Sequence, residues 1–185
     1  QRAGIDEMVA AALHAFGRLD VLGNIAGIAG SSHVADVTVE QYRRMMAVNV
    51  DACFFLSQAA LPHLVGNAGT IVNLASNAGL MGQAYTVVYS MAKGDVVQLT
   101  RALAMEFVKT DLRVNAIAPA GVDTPLLRNF HIPDGVDPEL MQPYMGFRGM
   151  AHVDELARLF AFIASDDARS MHGAVVSVDN GITAG

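Results

Sequence analysis

The sequence predicts an α/β protein, a parallel sheet covered by helices on both faces, and three observations lead there. Short apolar runs alternate with longer segments whose apolar residues recur every three or four positions, so helix and strand follow one another four times. Hydrophobic residues make up 52% of the chain and charged residues 16%, which excludes disorder and implies a large core. The 185 residues suit one domain, and no repeat, low-complexity tract or linker divides them.

The elements follow in order. Ile5, Met8, Val9, Ala12, Leu13 and Phe16 form one apolar stripe, a first helix closed by Gly17. Leu19 to Ile25 is a buried strand that runs into a Gly/Ala/Ser loop at 26–32. Thr38 opens a second helix, with Glu40 in its first turn and Tyr42, Met45, Met46 and Val50 as contacts, continuing to about His63. Gly69 to Ala75 is the next buried strand, and a helix from Thr86 to Val108 carries Val88, Ala92, Val96, Leu99 and Leu103 on one stripe. Leu112 to Ala118 is a strand ending at Pro119, Val153 to Ala164 a helix with acids in its first turn, and Ala174 to Val178 the last strand. Between them, Gly121 to Met150 holds four prolines and reads as a long irregular connection, the usual form of a lid or binding loop.

Composition narrows the function. The 12 Lys+Arg against 18 Asp+Glu give a net charge of −6, the wrong balance for nucleic acid or an anionic membrane. The most apolar stretch, Ala52 to Val65, is interrupted by Ser57, Gln58, Pro62 and His63 and is too short to span a bilayer. The single Cys53 and the lack of any Asn-x-Ser/Thr site point to a reducing, cytoplasmic setting. The first residues do not form a signal peptide, and a start at Gln rather than Met suggests that something upstream is missing.

The chemistry centres on Tyr89-Ser90-Met91-Ala92-Lys93, which puts a phenol and an ammonium four residues apart on one helix face. Ser76 ends the preceding strand, and strand end and helix start meet at the carboxyl edge of such sheets, where ligands bind. A free Tyr has a pKa near 10, so use as a base at neutral pH requires about 4 kcal/mol in favour of the phenolate. Lys93 and a positively charged cofactor ring are the expected sources. Chance gives a Tyr-x-x-x-Lys in this composition about 4% of the time, and the Ser offset reduces that roughly 20-fold.

These residues resemble the short-chain dehydrogenase/reductase family, and the resemblance covers essentially the whole chain. Asn24-Ile25-Ala26-Gly27 is similar to the family's Asn-Asn-Ala-Gly turn, and Asn49 to the helix asparagine of its catalytic tetrad. Asn73-Leu74-Ala75-Ser76 matches the serine strand, Asn115 to Pro125 the segment flanking the nicotinamide, and Val178-Asp179-Asn180-Gly181 the last strand and tail. Ile25 and Ala120 depart from the pattern, replacing an Asn and a Gly.

The resemblance implies a doubly wound, Rossmann-like sheet and an NAD(P)-dependent oxidoreductase that interconverts a secondary alcohol and a ketone. Tyr89 is then the general acid/base, Lys93 lowers its pKa and holds the nicotinamide ribose, Ser76 binds the substrate oxygen, and Asn49 orders a relay water. Cofactor contacts fall on Asn24, Ala26, Gly27, Tyr89, Lys93, Pro119, Gly121, Val122 and Thr124. The cofactor is NAD or NADP, with NAD slightly preferred. The partner is a small alcohol or ketone, and residues 121–150 form the substrate loop. The two longest helices resemble the pair that family members use to build a homodimer or homotetramer.

One feature of the family is absent. No Gly-x-Gly occurs among the 17 glycines, so there is no phosphate-binding loop, and a βαβ unit of about 30 residues or more is expected to be missing. Its loss predicts weak dinucleotide binding, slow turnover, low stability, and an apolar edge at Leu19–Ile25 open to association with another chain. The alternative reading is therefore a catalytically impaired fold fragment acting as a binding or oligomerising module. A serine hydrolase is disfavoured, since no Gly-x-Ser-x-Gly elbow exists. No metal site is expected: His14, His33, His63, His131, His152 and His172 lack paired spacing and read as surface or loop residues. Cys53 reads as core. Met141, Tyr144, Met145, Phe147 and Met150 either fill the core or line an apolar substrate pocket.

Overall fold

Runs rich in Val, Ile and Leu become the strands of the computed structural model, which describes residues 2–184. They are β1 (Val21–Asn24), β2 (Thr70–Leu74), β3 (Arg113–Pro119) and β4 (Val175–Val178). All pair in parallel, in the order β1-β2-β3-β4, with Leu22 opposite Ile71, Ile71 opposite Val114, and Ile117 opposite Val176. Parallel strands need crossovers, and the helices supply them. These are α1 (Arg2–Phe16), α2 (Val39–Met46), α3 (Ala52–Gly66), α4 (Val87–Glu106), α5 (Pro125–Arg128), α6 (Pro138–Met145) and α7 (Val153–Ala164).

Alternation along the strands divides the core between two faces. Ile71 and Val114 pack with Leu64 of α3 and Leu103 of α4; further along, Ala75, Ala116 and Ala118 meet Cys53, Val96 and Val97. On the opposite face Val72 and Ile117 meet Ile163, Leu159 and Phe160 of α7. Each fully buried Leu, Ile or Val is worth about 1.5–3 kcal/mol, so the sandwich is held mainly by these side chains. Both faces are covered, as the alternating pattern requires.

The helix ends have local causes. Gly17 adopts φ +76° and its N–H donates to Leu13 O, closing α1. Thr38 caps α2 through a reciprocal pair with Gln41. The second helix departs from a uniform α rod: residues 47–51 form one π turn between α2 and α3. The merged segment Val39–Gly66 is 28 residues long and apolar enough to cross a membrane by length and composition, twice the Ala52–Val65 run on which the expectation was drawn. Its buried Asn49 and Ser57 are hydrogen-bonded inside the fold, as befits a core helix. Residues 121–150 differ as well: α5 and α6 form there, each with proline in its first turn.

Arg113 shows how the far face is fastened. Its guanidinium donates to the carbonyls of Ile163 (2.8 Å), Ala164 (3.4 Å) and Ser165 (3.0 Å), the unsatisfied end of α7, and of Ala168 (3.1 Å) in the turn that follows. His172 bridges in a similar way, Nε2 donating to Ala104 O at 2.6 Å and Nδ1 accepting from Val114 N. It is a tie between α4 and β3 rather than a free loop residue. Arg113→Met is expected to cost about 2–3 kcal/mol, a fall of about 4–10 °C in melting temperature read by calorimetry.

β1 lies at one edge of the sheet, with Ile25 just beyond it 54% exposed. The edge carries an apolar side chain, as expected, while Val21 and Leu22 are half-buried.

Candidate active site

The loops after β1, β2 and β3 leave one carboxyl edge, because all the strands run the same way. Ser76 follows β2, is 6% exposed, and caps a short turn by accepting from Ala78 N at 3.2 Å. Its hydroxyl also reaches Pro119 O, at the end of β3, at 3.4 Å. Tyr89, in the first turn of α4, is near enough for the Ser76 hydroxyl to lower its proton affinity. Lys93 lies one turn further on, 5% exposed, its Nζ 5.9 Å from the centre of the Tyr89 ring and donating to Leu74 O at 2.7 Å.

Asn49 reaches the same place from the π turn. Its amide pairs with both backbone groups of Ile28, at 3.0 and 2.9 Å, and donates to Met45 Sδ. Gly27 sits between Asn49 and Lys93: a Cβ there would fall 2.8 Å from Asn49 Oδ1 and 3.6 Å from Lys93 Nζ. The four residues expected to act together, Asn49, Ser76, Tyr89 and Lys93, are thus brought to one edge.

Burial sets their proton affinities. It pushes the Tyr89 phenol above its ordinary range, and the Ser76 hydroxyl pulls the other way. The expectation that Lys93 and a positively charged cofactor ring together draw the phenol toward neutrality concerns the loaded site; in the chain alone burial outweighs the pull of Ser76. Burial also lowers Lys93 from its ordinary 10.5 to about 8, with Cys53 nearby opposing the change. Cys53 itself is pushed up to about 12, a buried thiol as expected.

Lys93 therefore opposes folding while it is charged. The unfolded chain holds that proton up to about 10.5 and the folded chain only to about 8. Stability gains with pH between those values, and the full penalty applies below them. Lys93→Met removes the penalty and one hydrogen bond, so the melting temperature is expected to rise by about 2–6 °C near pH 7. That gain should vanish near about pH 9.5, a crossover that scanning calorimetry at the two pH values checks.

Other expected residues fall differently. The Asn24 side chain turns away from the edge, donating to Asn73 Oδ1 (2.8 Å) and Ser57 Oγ (3.1 Å). Asn73 donates in turn to Thr100, which donates to Val96 O. This buried chain ties β1 and β2 to α3 and α4 through Asn24 Nδ2, while Asn24 Oδ1 is buried without a hydrogen-bond partner. Ala26 and Gly27 continue from Asn24 in the open loop. Val122 bridges to Ala151, and Thr124 Oγ1 donates to Val122 O. Gly121 lies against Met150, where a Cβ would meet Met150 Cγ at 3.3 Å.

A cavity of about 680 Å³ opens beside this edge. It is walled by residues 28–32, by Gln41, Arg44 and Met45 of α2, by residues 85–88 ahead of Tyr89, and by Pro125, Leu126 and Asn129. Ser76, Tyr89 and Lys93 are not among its walls, but Ile28 and Met45 both touch Asn49. Met141, Tyr144, Met145, Phe147 and Met150 do not line it; Phe147 is 99% exposed, and the Tyr144 hydroxyl donates to Ala84 O. Sequence reasoning missed Tyr85, a non-glycine at φ +64° whose hydroxyl accepts from Asp137 N at 2.8 Å. With Ser31 to His131 O and His33 to Asp134 O, it fastens residues 131–137 over the loop after β1. Among the described residues no His/Cys/Asp/Glu cluster could hold a metal.

Known proteins are similar to this chain in sequence and fold. A family described as enoyl-(acyl carrier protein) reductase matches residues 1–183. The meso-2,3-butanediol dehydrogenase of Serratia marcescens is 36% identical over 183 residues, 97% of this chain and 70% of that enzyme. The trans-4-hydroxycyclohexanecarboxylate dehydrogenase of Sinomonas cyclohexanicum is 37% identical over 182 residues, 96% of this chain but 65% of its own length. The crystal structure of a short chain dehydrogenase from Mycobacterium paratuberculosis bound to NAD superposes with a TM-score of 0.90 at 28% identity, over 100% of this chain and 72% of that one.

Proposed function

This chain belongs to the short-chain dehydrogenase/reductase family of NAD(P)-dependent oxidoreductases, with its Rossmann-like fold, and we propose that it interconverts a secondary alcohol and a ketone with Tyr89 as general acid/base. The observation that carries this reading is the meeting of Ser76, Tyr89 and Lys93 at the carboxyl edge, with Asn49 held behind them. Few structural needs would bury a lysine beside a phenol there. The cavity is partly apolar and is closed in part by residues 125–129, which supports the role of 121–150 as the substrate loop.

The residues present fit one half of a dinucleotide. Gly27 leaves space against Lys93 and Asn49 that a side chain would fill, and Lys93 Nζ keeps donor capacity beyond Leu74 O for ribose hydroxyls. Ala26, Pro119, Gly121, Val122 and Thr124 are the residues assigned to flank the nicotinamide. No Gly-x-Gly loop for the pyrophosphate is among the 185 residues. When bound, NAD or NADP supplies the hydride acceptor and, in its oxidised form, a positive ring near Tyr89.

The work of the side chains follows. Ser76 donates to the substrate oxygen and orients it toward Tyr89. The phenolate accepts the alcohol proton during oxidation, and the phenol returns it during reduction. Lys93 holds positive charge behind the ring, and Asn49, fixed by Ile28, keeps the backbone of the π turn set for a relay water. Exposed Tyr42 and Phe54 on the α2–α3 rod and Met91 and Met105 on α4 support a homodimer or homotetramer. The buried single thiol accords with a cytoplasmic setting.

The test is oxidation of 2,3-butanediol or cyclohexanol by this protein with NAD or NADP, followed by reduced-nicotinamide absorbance. Turnover that requires dinucleotide and follows Tyr89 supports the reading. Dinucleotide binding without turnover on any secondary alcohol or ketone favours the binding-module alternative.

A further inference from the structure

We infer that Arg44 is a specificity-determining residue that selects substrates carrying a carboxylate, an inference that rests on the oxidoreductase reading above and narrows its substrate class. Arg44 is the one charged residue on the walls of the 680 Å³ cavity. The other walls are apolar, such as Ile28, Val37, Val87 and Leu126, or neutral and polar, such as Gln41 and Asn129. No Asp or Glu is among them.

Among the described arginines without a hydrogen-bond or ion-pair partner, which also include Arg43, Arg101, Arg148 and Arg169, Arg44 is the one on the cavity walls. Arg18 pairs with Asp20, Arg128 with Asp123, Arg113 with the end of α7, and Arg158 with Asp154 O. Among the described residues no hydrogen bond or ion pair engages the Arg44 guanidinium, which stands exposed at the cavity mouth. Helix α2 runs on through the π turn into α3, so Arg44 does not sit at a free helix end that would use its charge. In a chain of net charge −6, an unpaired cation beside a mostly apolar cavity has one evident complement, an anion brought by the ligand. The planar fork of a guanidinium matches a carboxylate in two parallel bonds, and the apolar walls on one side weaken the competing water.

Such a ligand places its anionic end at Arg44, its apolar body along Ile28, Val37 and Leu126, and its hydroxyl toward the turn ahead of Tyr89. Neutral diols lack the first of these contacts.

The experiment separates charge from shape without any hydride transfer. Calorimetric titration would compare cyclohexanecarboxylate with cyclohexanecarboxamide, its neutral isostere, on the intact protein, on Arg44→Gln and on Arg44→Lys. The intact protein is expected to favour the carboxylate about tenfold. Arg44→Gln should reduce the preference to within about twofold, and Arg44→Lys should keep part of it, since charge remains without the fork. Equal binding of the two ligands by the intact protein would overturn the inference. So would a preference that survives in Arg44→Gln, or no binding of either ligand at about 10 mM. Because binding alone is read, failure here is distinct from failure of the alcohol oxidation assay.

Discussion

Tyr89→Phe is expected to lower turnover by about 10²–10⁴-fold while leaving the dinucleotide dissociation constant within about threefold. The change removes a single oxygen, and the ring keeps its position against Lys93, 5.9 Å from Nζ. What is lost is the group that exchanges a proton with the substrate oxygen. Ser76 then keeps its bonds to Ala78 N and Pro119 O, so the strand end stays in place. Steady-state rates together with a direct titration of NAD and NADP separate the two effects. Activity within tenfold of the parent would remove Tyr89 from the chemistry. A parallel loss of binding would make it a packing residue instead.

Gly79→Ala is expected to have the other large effect, on the fold and the site together. Gly79 ends the short turn that begins at Ser76, and it lies directly against the backbone of α4. A Cβ there would fall 2.6 Å from the carbonyl carbon and oxygen of Lys93 and 2.8 Å from Gly94 N. Backbone cannot step aside as a side-chain tip can, so the helix must move away from the Ser76 turn. The cost is about 3 kcal/mol or more, a large share of the roughly 5–15 kcal/mol that holds a domain. A displacement of about 1 Å between Ser76 and Tyr89 would lower turnover about 100-fold in addition. Gly82→Ala is the control: it lies in the same loop, with nothing within 4 Å of its Cβ position. Melting temperature and rate should fall together in the first variant and stay at parental values in the second. Equal behaviour of the two would show that the close approach of the turn and α4 does not matter.

Sequence patterning by itself determined the order of the elements. The strands were legible because parallel, doubly covered strands read as continuous apolar runs, as in Thr70–Leu74 and Arg113–Pro119. Helix starts were legible where the signal is local, as at Thr38 with Glu40 in the first turn. The pairing of Tyr89 with Lys93 was legible for the same reason, since one helical turn fixes it.

Tertiary structure alone decided what depends on residues far apart in the chain. Asn24 reads as a cofactor contact, and the fold adds that its Nδ2 donates to Asn73 and Ser57, 49 and 33 positions away. The aromatic and methionine residues of 141–150 read as either core filler or cavity walls, but Tyr144 reaches back 60 positions to Ala84 and Phe147 faces outward. A glycine is a gap with no pattern of its own, so the contact of Gly79 with Lys93 left no trace in the sequence. Proton affinity was hidden as well: the motif with a bound cofactor ring predicts a phenol drawn toward neutrality, and what the fold adds is burial, which by itself pushes Tyr89 up and Lys93 down. Periodicity and caps act within about four residues and can be read along the chain, but desolvation and long-range pairing exist only after the chain has closed on itself.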